Sequence, residues 1–355
     1  MAYRAKMLPR QPSSGQDKGQ ILRFFVTGTA GFIGFHLARR LLADGHVVTG
    51  YDGITDYYDP ALKRARLALL GQEANFTAVN GMLEDFELLA DSVVRSEAEI
   101  VVHLAAQAGV RYSLEQPQSY IQSNVVGTAN LLEVLRGAPP RHLVFASTSS
   151  VYGGNTKFPF AETDRADGPV SLYAATKKSG EAMVHSYAHL FGIASTCVRF
   201  FTVYGPWGRP DMALFKFATA MLEDRPIDVY GHGKMRRDFT YIDDLVEALA
   251  RLAQVPPEPG KPVSGHDSLS AVAPFRVVNI AGGQPRELMD FIRAIETAAG
   301  RKAKLNLMPM QPGDVTATES DTTLLRELIG VLPETPLETG ISHFMTWFKA
   351  HYGFN

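Results

Sequence analysis

Thr27-Gly28-Thr29-Ala30-Gly31-Phe32-Ile33-Gly34 sits where an apolar strand must turn into a helix. Before it, Ile21 to Val26 is a short apolar run with β-branched and aromatic residues; after it, Phe35 to Leu42 carries apolar residues at helical spacing up to Gly45. Gly28, Gly31 and Gly34 leave room for the tight turn, for backbone N–H groups around Phe32 and Ile33 to approach a pyrophosphate, and for the helix to lie close to the sheet. On this reading a Cβ at the glycines would stand where the phosphate belongs. A second strand, His46 to Tyr51, ends at Asp52, 18 residues beyond Gly34. An acid there accepts the ribose hydroxyls of an adenosine and repels a 2′-phosphate, so the expected cofactor is NAD rather than NADP.

The rest of the chain suits that start. Its 355 residues are 45% hydrophobic and 20% charged with a net charge of -2, enough for a nucleotide-binding domain and a smaller second one. So even a balance gives no electrostatic footprint for nucleic acid or anionic lipid. The single cysteine, Cys197, rules out an internal disulfide or a cysteine metal cluster, fits a reducing cytoplasm, and reads as a buried inert thiol in the run Ala194 to Phe200. No apolar run reaches the roughly 18 residues a membrane span needs. Residues 1–20 are mixed and polar, and are expected to form a flexible tail rather than a signal peptide.

Strands and helices alternate. Pro60 opens a basic helix to about Leu70; strands are expected at Asn75 to Val79, Glu99 to Leu104, Arg141 to Ala146 and Ala194 to Phe200, with helices at Leu83 to Arg95, Pro117 to Leu135 and Ser171 to Phe191. Ile100 to Ala106 is nearly continuous in apolar character, as a strand buried on both faces should be, so Leu104, Ala105 and Ala106 come to the cofactor. The fold class is therefore α/β, a Rossmann-type doubly wound parallel sheet with a smaller mixed α/β C-terminal substrate domain. The expected division is 21–200 with a returning segment about 239–280 for the NAD-binding domain, and 201–238 with 281–355 for the discontinuous second domain. The Pro-rich stretch Val255 to Ala273 reads as a surface loop.

The helix from Ser171 carries Tyr173-Ala174-Ala175-Thr176-Lys177. Residues four apart share a helix face, and a nearby ammonium favours the phenolate, which would make Tyr173 a base near neutrality. A Tyr and a Lys at this spacing also occur in helices without any such role. What singles out this pair is the hydroxyl cluster Ser147-Thr148-Ser149-Ser150 ending the preceding strand, where Thr148 can bond the same substrate oxygen.

With those residues in view, the chain from about Ile21 to its C-terminus resembles the extended short-chain dehydrogenase/reductases, and within them the UDP-glucuronate 4-epimerases. The three-and-three glycine spacing, His103-Leu104-Ala105-Ala106-Gln107-Ala108-Gly109-Val110-Arg111, Ser149-Ser150-Val151-Tyr152-Gly153, and Arg237 to Asp244 support it, as does Gln311-Pro312-Gly313-Asp314-Val315. The most particular segment is Arg199-Phe200-Phe201-Thr202-Val203-Tyr204-Gly205-Pro206-Trp207-Gly208-Arg209-Pro210-Asp211-Met212. The resemblance implies Tyr173 as base, Lys177 as its tuner and ribose ligand, and Thr148 as hydroxyl partner. It also implies Arg209 and Arg237 near the phosphates of a UDP-sugar substrate, Asp314 near the uridine diphosphate, and a homodimer through the Pro117 and Ser171 helices. Arg209 and Arg237 also read as solvated surface arginines, and Asp314 as a turn residue.

Three departures stand out: Gly81-Met82 where relatives place an adenine-binding Asp, Thr202 where galactose epimerases carry Asn, and Glu319 in place of an aromatic. Related 4,6-dehydratases carry Asp-Glu directly after the catalytic threonine, and decarboxylases of UDP-glucuronate retain a glutamate near it. Ser149 and Ser150 stand there instead and, with Thr202, are expected to hold the sugar carboxylate away from decarboxylation. The expected activity is an isomerase inverting C4 of UDP-glucuronate. The alternatives are an epimerase of UDP-glucose or UDP-N-acetylglucosamine, the decarboxylase, and a non-catalytic NAD-sensing protein on the same fold. No His-Glu-x-x-His or Gly-x-Ser-x-Gly occurs, so no metal is expected.

Overall fold

The computed structural model describes residues 20–311, 313–331 and 333–354; the expected tail at 1–20 thus falls, but for Gln20, outside the described residues. The strands are β1 Arg23–Thr27, β2 Val47–Asp52, β3 Phe76–Asn80, β4 Ile100–His103, β5 His142–Thr148, β6 Ser195–Phe200, β7 Thr202–Tyr204, β8 Ile227–Val229, β9 Arg236–Tyr241, β10 Phe275–Ile280, β11 Pro285–Glu287 and β12 Leu305–Leu307. Seven of them form one parallel sheet in the order β10-β6-β5-β4-β1-β2-β3. The chain winds one way through β1, β2 and β3 and the other way from β4 onward, so a crevice opens beyond the carboxyl ends of β1 and β4.

Each central strand is buried on both faces, and its residues divide between two cores. Phe24 and Val26 pack on one side of the sheet with Val102, Val144 and Phe35, while Phe25 packs on the other with Val101, Phe145 and Leu131. That alternation explains why these strands read as unbroken apolar runs. The first core continues across the helix Ile242–Leu252, where Ile242, Leu245, Val246, Leu249 and Leu252 recur at helical spacing and are all buried. Asp243 and Asp244 in its first turn and Arg251 in its last suit the helix dipole. Glu247 ties this helix to the Phe32–Ala43 helix by accepting from Arg40 Nε at 2.9 Å.

A smaller sheet, β11-β9-β7, and a two-stranded pair, β12-β8, stand beyond the carboxyl edge. The segment 239–280 divides at Tyr241: Phe239, Thr240 and Tyr241 pair with β7 in the small sheet, and only from Ile242 does the chain rejoin the main one, through its helix and β10. The helix expected at Pro117 to Leu135 runs on to Gly137 and carries a π-helical stretch, Ile121–Val126. The wider turn there accompanies an inward Asn124, which donates to Gln107 O at 3.0 Å and Thr176 Oγ1 at 3.0 Å and accepts from Gln107 N at 2.8 Å. Among the described residues no helix is long and apolar enough to cross a membrane.

Candidate active site

The crevice holds a cavity of about 270 Å³ whose walls include Gly28, Gly31, Phe32, Ile33, Gly34, Asp52, Leu104, Ala105, Ala106, Thr148, Tyr173, Lys177 and Arg209. Every residue expected to touch the dinucleotide, and the three expected to do chemistry, is thus brought to one space. The turn is drawn tight by Gly28 N donating to Tyr51 O at 2.7 Å and Gly31 N to Gly28 O at 3.0 Å. The tight turn and the close helix require glycine here, as the sequence suggests. Gly28 has φ +80°, and a Cβ on it would lie 2.8 Å from Ala105 N; one on Gly34 would strike the Gly28 carbonyl. Backbone stands within contact of each added Cβ, so glycine lets β1, β4 and the helix approach this closely.

Thr27 fixes the same corner. Its Oγ1 accepts from Leu104 N at 3.1 Å and Ala105 N at 3.0 Å, so its own proton goes to His103 Nδ1, 2.8 Å away. That sets the tautomer: Nε2–H of His103 faces Thr128 Oγ1 at 3.2 Å. Burial, with Lys177 adding to it, drives this imidazole down to about 3, so it stays neutral. Asp52 accepts from Ala30 N at 2.9 Å and Ile54 N at 2.8 Å, which aims the carboxylate and leaves each oxygen a lone pair for a ribose hydroxyl. At the adenine end Gly53, Gly81, Met82 and Leu83 line the wall, and Tyr51 Oη donates to Met82 O at 2.8 Å. These donors and acceptors fit NAD.

Tyr173 stands in the first turn of the helix Leu172–Phe191, whose N-cap, Ser171, accepts from Ala174 N at 3.1 Å. Burial pushes the phenol above its usual range; the Arg209 guanidinium and the nearby Thr148 hydroxyl pull the other way, while Asp211 opposes them. Arg209 is thus a second cation beside Tyr173, in addition to the Lys177 expected one helical turn along. The Lys177 ammonium lies 4.5 Å from the centre of the Phe145 ring and has no hydrogen-bond partner among the described residues. Burial lowers it to about 8, against the pull of Cys197 and Glu181, and its three donors remain for a ribose. Behind it a buried carboxylate, Glu181, is gripped by Arg199 through Nε and Nη2, both at 2.9 Å, and by Ser147 Oγ at 2.6 Å.

The expected substrate residues separate. Arg209 lines the cavity and grips Asp211, through Nε at 3.0 Å and through Nη2. Ser149, Ser150 and Thr202 are half-buried at the ends of β5 and β7, with Thr148 Oγ1 donating to Ser150 Oγ at 3.2 Å. Arg237 is turned to backbone, donating to the carbonyls of Arg236, Val315 and Thr316, and Asp314 meets Arg111 at 3.2 Å, so this pair forms a neighbouring cluster outside the cavity wall. Arg111 lies 4.8 Å over the Tyr230 ring there.

Sequence reasoning missed Tyr57, which lines the cavity and donates to Asp211 Oδ2 at 3.0 Å, and the cations Lys63 and Arg66. Arg66 is fully buried and ties three segments together, donating to Ala30 O at 2.7 Å, Tyr58 Oη at 2.8 Å and Trp207 O at 2.6 Å. The signal was present in Lys63 and Arg66 falling three apart, on one face of the helix Pro60–Leu70.

A Rossmann-type sheet with this turn, and with Thr148, Tyr173 and Lys177 at its carboxyl edge, defines an extended short-chain dehydrogenase/reductase. The chain belongs to the NAD dependent epimerase/dehydratase family, whose model matches residues 24–264. It is 55% identical to a probable UDP-glucuronate 4-epimerase of Rhizobium meliloti (strain 1021), over 93% of this chain and 98% of that one. It is 46% identical to UDP-glucuronate 4-epimerase 1 of Arabidopsis thaliana, over 93% of this chain and 77% of that one. The crystal structure of UDP-glucuronic acid 4-epimerase from Bacillus cereus, in complex with UDP-glucuronic acid and NAD, matches with a TM-score of 0.83 at 32% identity, covering 93% of this chain and 99% of that one.

Proposed function

We propose that this chain is a UDP-glucuronate 4-epimerase, which inverts C4 of UDP-glucuronate to give UDP-galacturonate through a transient 4-keto sugar, with NAD regenerated in each turnover. The observation that carries the reading is Thr148, Tyr173 and Lys177 on one wall of a cavity shared with the dinucleotide turn, followed by two hydroxyls, Ser149 and Ser150, where no carboxylate stands.

Gly28, Phe32, Ile33 and Gly34 hold the pyrophosphate of NAD, Asp52 its adenosine ribose, and Lys177 its other ribose. When bound, NAD supplies a reversible acceptor for the C4 hydride. Tyr173 takes the proton of the 4-hydroxyl and gives it back after the sugar has turned about its diphosphate linkage. Thr148 holds the same oxygen, and Arg209 supplies the positive charge that offsets burial of the phenolate. A ketone at C4 makes the substrate a β-keto acid; Ser149, Ser150 and Thr202 restrain its carboxylate from the alignment that releases carbon dioxide. The smaller lobe, with Arg237 and Asp314, takes the nucleotide end.

A homodimer is supported by exposed Ile121 and Val126 on one long helix and Leu190 and Phe191 on its neighbour. A monomer mass in light scattering at micromolar concentration contradicts it. A cytoplasmic location suits the lone buried thiol of Cys197. Incubating the purified protein with a panel of UDP-sugars tests the activity. UDP-galacturonate from UDP-glucuronate is expected; a pentose nucleotide, a 4-keto-6-deoxy sugar, or turnover of neutral sugars alone overturns it.

A further inference from the structure

Tyr57 reaches the cavity from the loop after β2, in the nucleotide half, whereas Arg209 and Asp211 belong to the loop after β7. The two loops meet in one hydrogen-bonded chain: Tyr57 Oη donates to Asp211 Oδ2 at 3.0 Å, and Asp211 holds the Arg209 guanidinium through both carboxylate oxygens. Arg209 also lies 6.0 Å over the Tyr57 ring. The position of Tyr57 is closely determined. Its ring packs 4.7 Å from that of Tyr112, and a Cβ on Gly109, where φ is +106°, would lie 2.7 Å from its hydroxyl. From Tyr112 the aromatic contacts continue through Tyr120 to Tyr173, whose ring meets Tyr120 edge-on at 6.1 Å.

We propose that Tyr57 and Asp211 are a positioning pair for the epimerisation, fixing the Arg209 guanidinium in the cavity and setting how much positive charge it presents to Tyr173. The inference rests on the epimerase reading and deepens it, by giving a second lobe-to-lobe contact control over the base. Asp211 neutralises part of the Arg209 charge, and the two act on Tyr173 in opposite directions. Burial and the Asp211 carboxylate push the Tyr57 phenol up to about 12, so it remains a donor to Asp211 at neutral pH. Among the described residues the same cavity wall also carries Lys177, Lys63, Asp52, Tyr58 and Glu84, and Tyr120 packs against Tyr173.

The test uses the full chain with UDP-glucuronate and compares Tyr57→Phe, Asp211→Asn and the double variant. Tyr57→Phe keeps the ring packing and is expected to raise KM about tenfold, as loss of one hydrogen bond to a charged group does, with kcat changed less than about threefold. Asp211→Asn removes a negative charge beside Arg209, so the acid limb of kcat moves to lower pH by about half a unit or more. Because Tyr57 acts only through Asp211, the double variant matches Asp211→Asn alone. An acid limb unmoved in Asp211→Asn, parent-like KM in Tyr57→Phe, or fully additive losses in the double variant overturns the pair, even if thermal stability falls. A parent protein inactive on UDP-glucuronate overturns the epimerase reading itself, and the pair with it.

Discussion

The Thr27 hydroxyl donates to His103 Nδ1 at 2.8 Å while accepting from the amides of Leu104 and Ala105, so one side chain on β1 fixes the end of β4 where the nucleotide is to lie. Thr27→Val keeps the shape and removes the oxygen, leaving the half-buried Ala105 N and the buried His103 Nδ1 without this partner. A loss of about 2–4 kcal/mol is expected from two such groups, read from the denaturant midpoint, with NAD affinity falling alongside. Unchanged stability and affinity contradict the role given to Thr27.

Asp52 is held by two backbone amides, so its charge is fixed where an adenosine ribose belongs. Asp52→Ala removes both the hydroxyl acceptor and the repulsion of a 2′-phosphate. NAD is expected to bind about tenfold more weakly or worse, the cost of a hydrogen bond to a charged group, while the preference for NAD over NADP narrows. Calorimetric titration with the two nucleotides measures both; an unchanged preference contradicts the assignment.

Tyr173 and Lys177 are separated by their variants. Tyr173→Phe removes the proton acceptor and is expected to cost about 10²–10⁴ in kcat, with UDP-glucuronate and NAD still bound. Lys177→Met is expected to act mainly through NAD affinity, since its ammonium rests against the Phe145 ring with its donors left for a ribose. A Lys177→Met variant that binds NAD normally but shifts the acid limb upward contradicts that expectation.

Glu162 accepts from Asn279 N at 2.9 Å in the interior, and burial raises its carboxyl from 4.5 to about 7. The folded state therefore holds a proton that the unfolded state releases, and stability declines as pH rises from about 4.5 through 7. Glu162→Gln keeps the shape and the acceptor without the charge. It is expected to be more stable than the parent at pH 8, by on the order of 2 kcal/mol, and equal to it near pH 4. Thermal melts at the two pH values check the sign; equal gains at both, or none, contradict it.

The central sheet was legible because its strands are buried on both faces. Ile100 to His103 and His142 to Thr148 are runs of the kind a doubly covered parallel strand produces, and the helix from Pro60 to Leu70 opened as its proline indicates. Strands β7, β9 and β11 were not legible: two have three residues, and each is made by pairing with a partner far away in sequence. The Thr148, Tyr173 and Lys177 set could be read from one strand end and one helix turn. That Arg209 shares their cavity could not, because it arrives on a loop 36 residues later. Tyr57 and Arg66 escaped for the same reason: aromatic and basic residues in a turn and on a helix look solvated until a second loop closes over them.

The most direct measurement follows the hydrogen on C4. UDP-glucuronate deuterated at that carbon, incubated with the purified protein in ordinary water, is expected to give UDP-galacturonate that keeps deuterium at C4, because the hydride leaves and returns within one site. Protium at C4 in the product, or a pentose nucleotide in its place, contradicts epimerisation by oxidation and return.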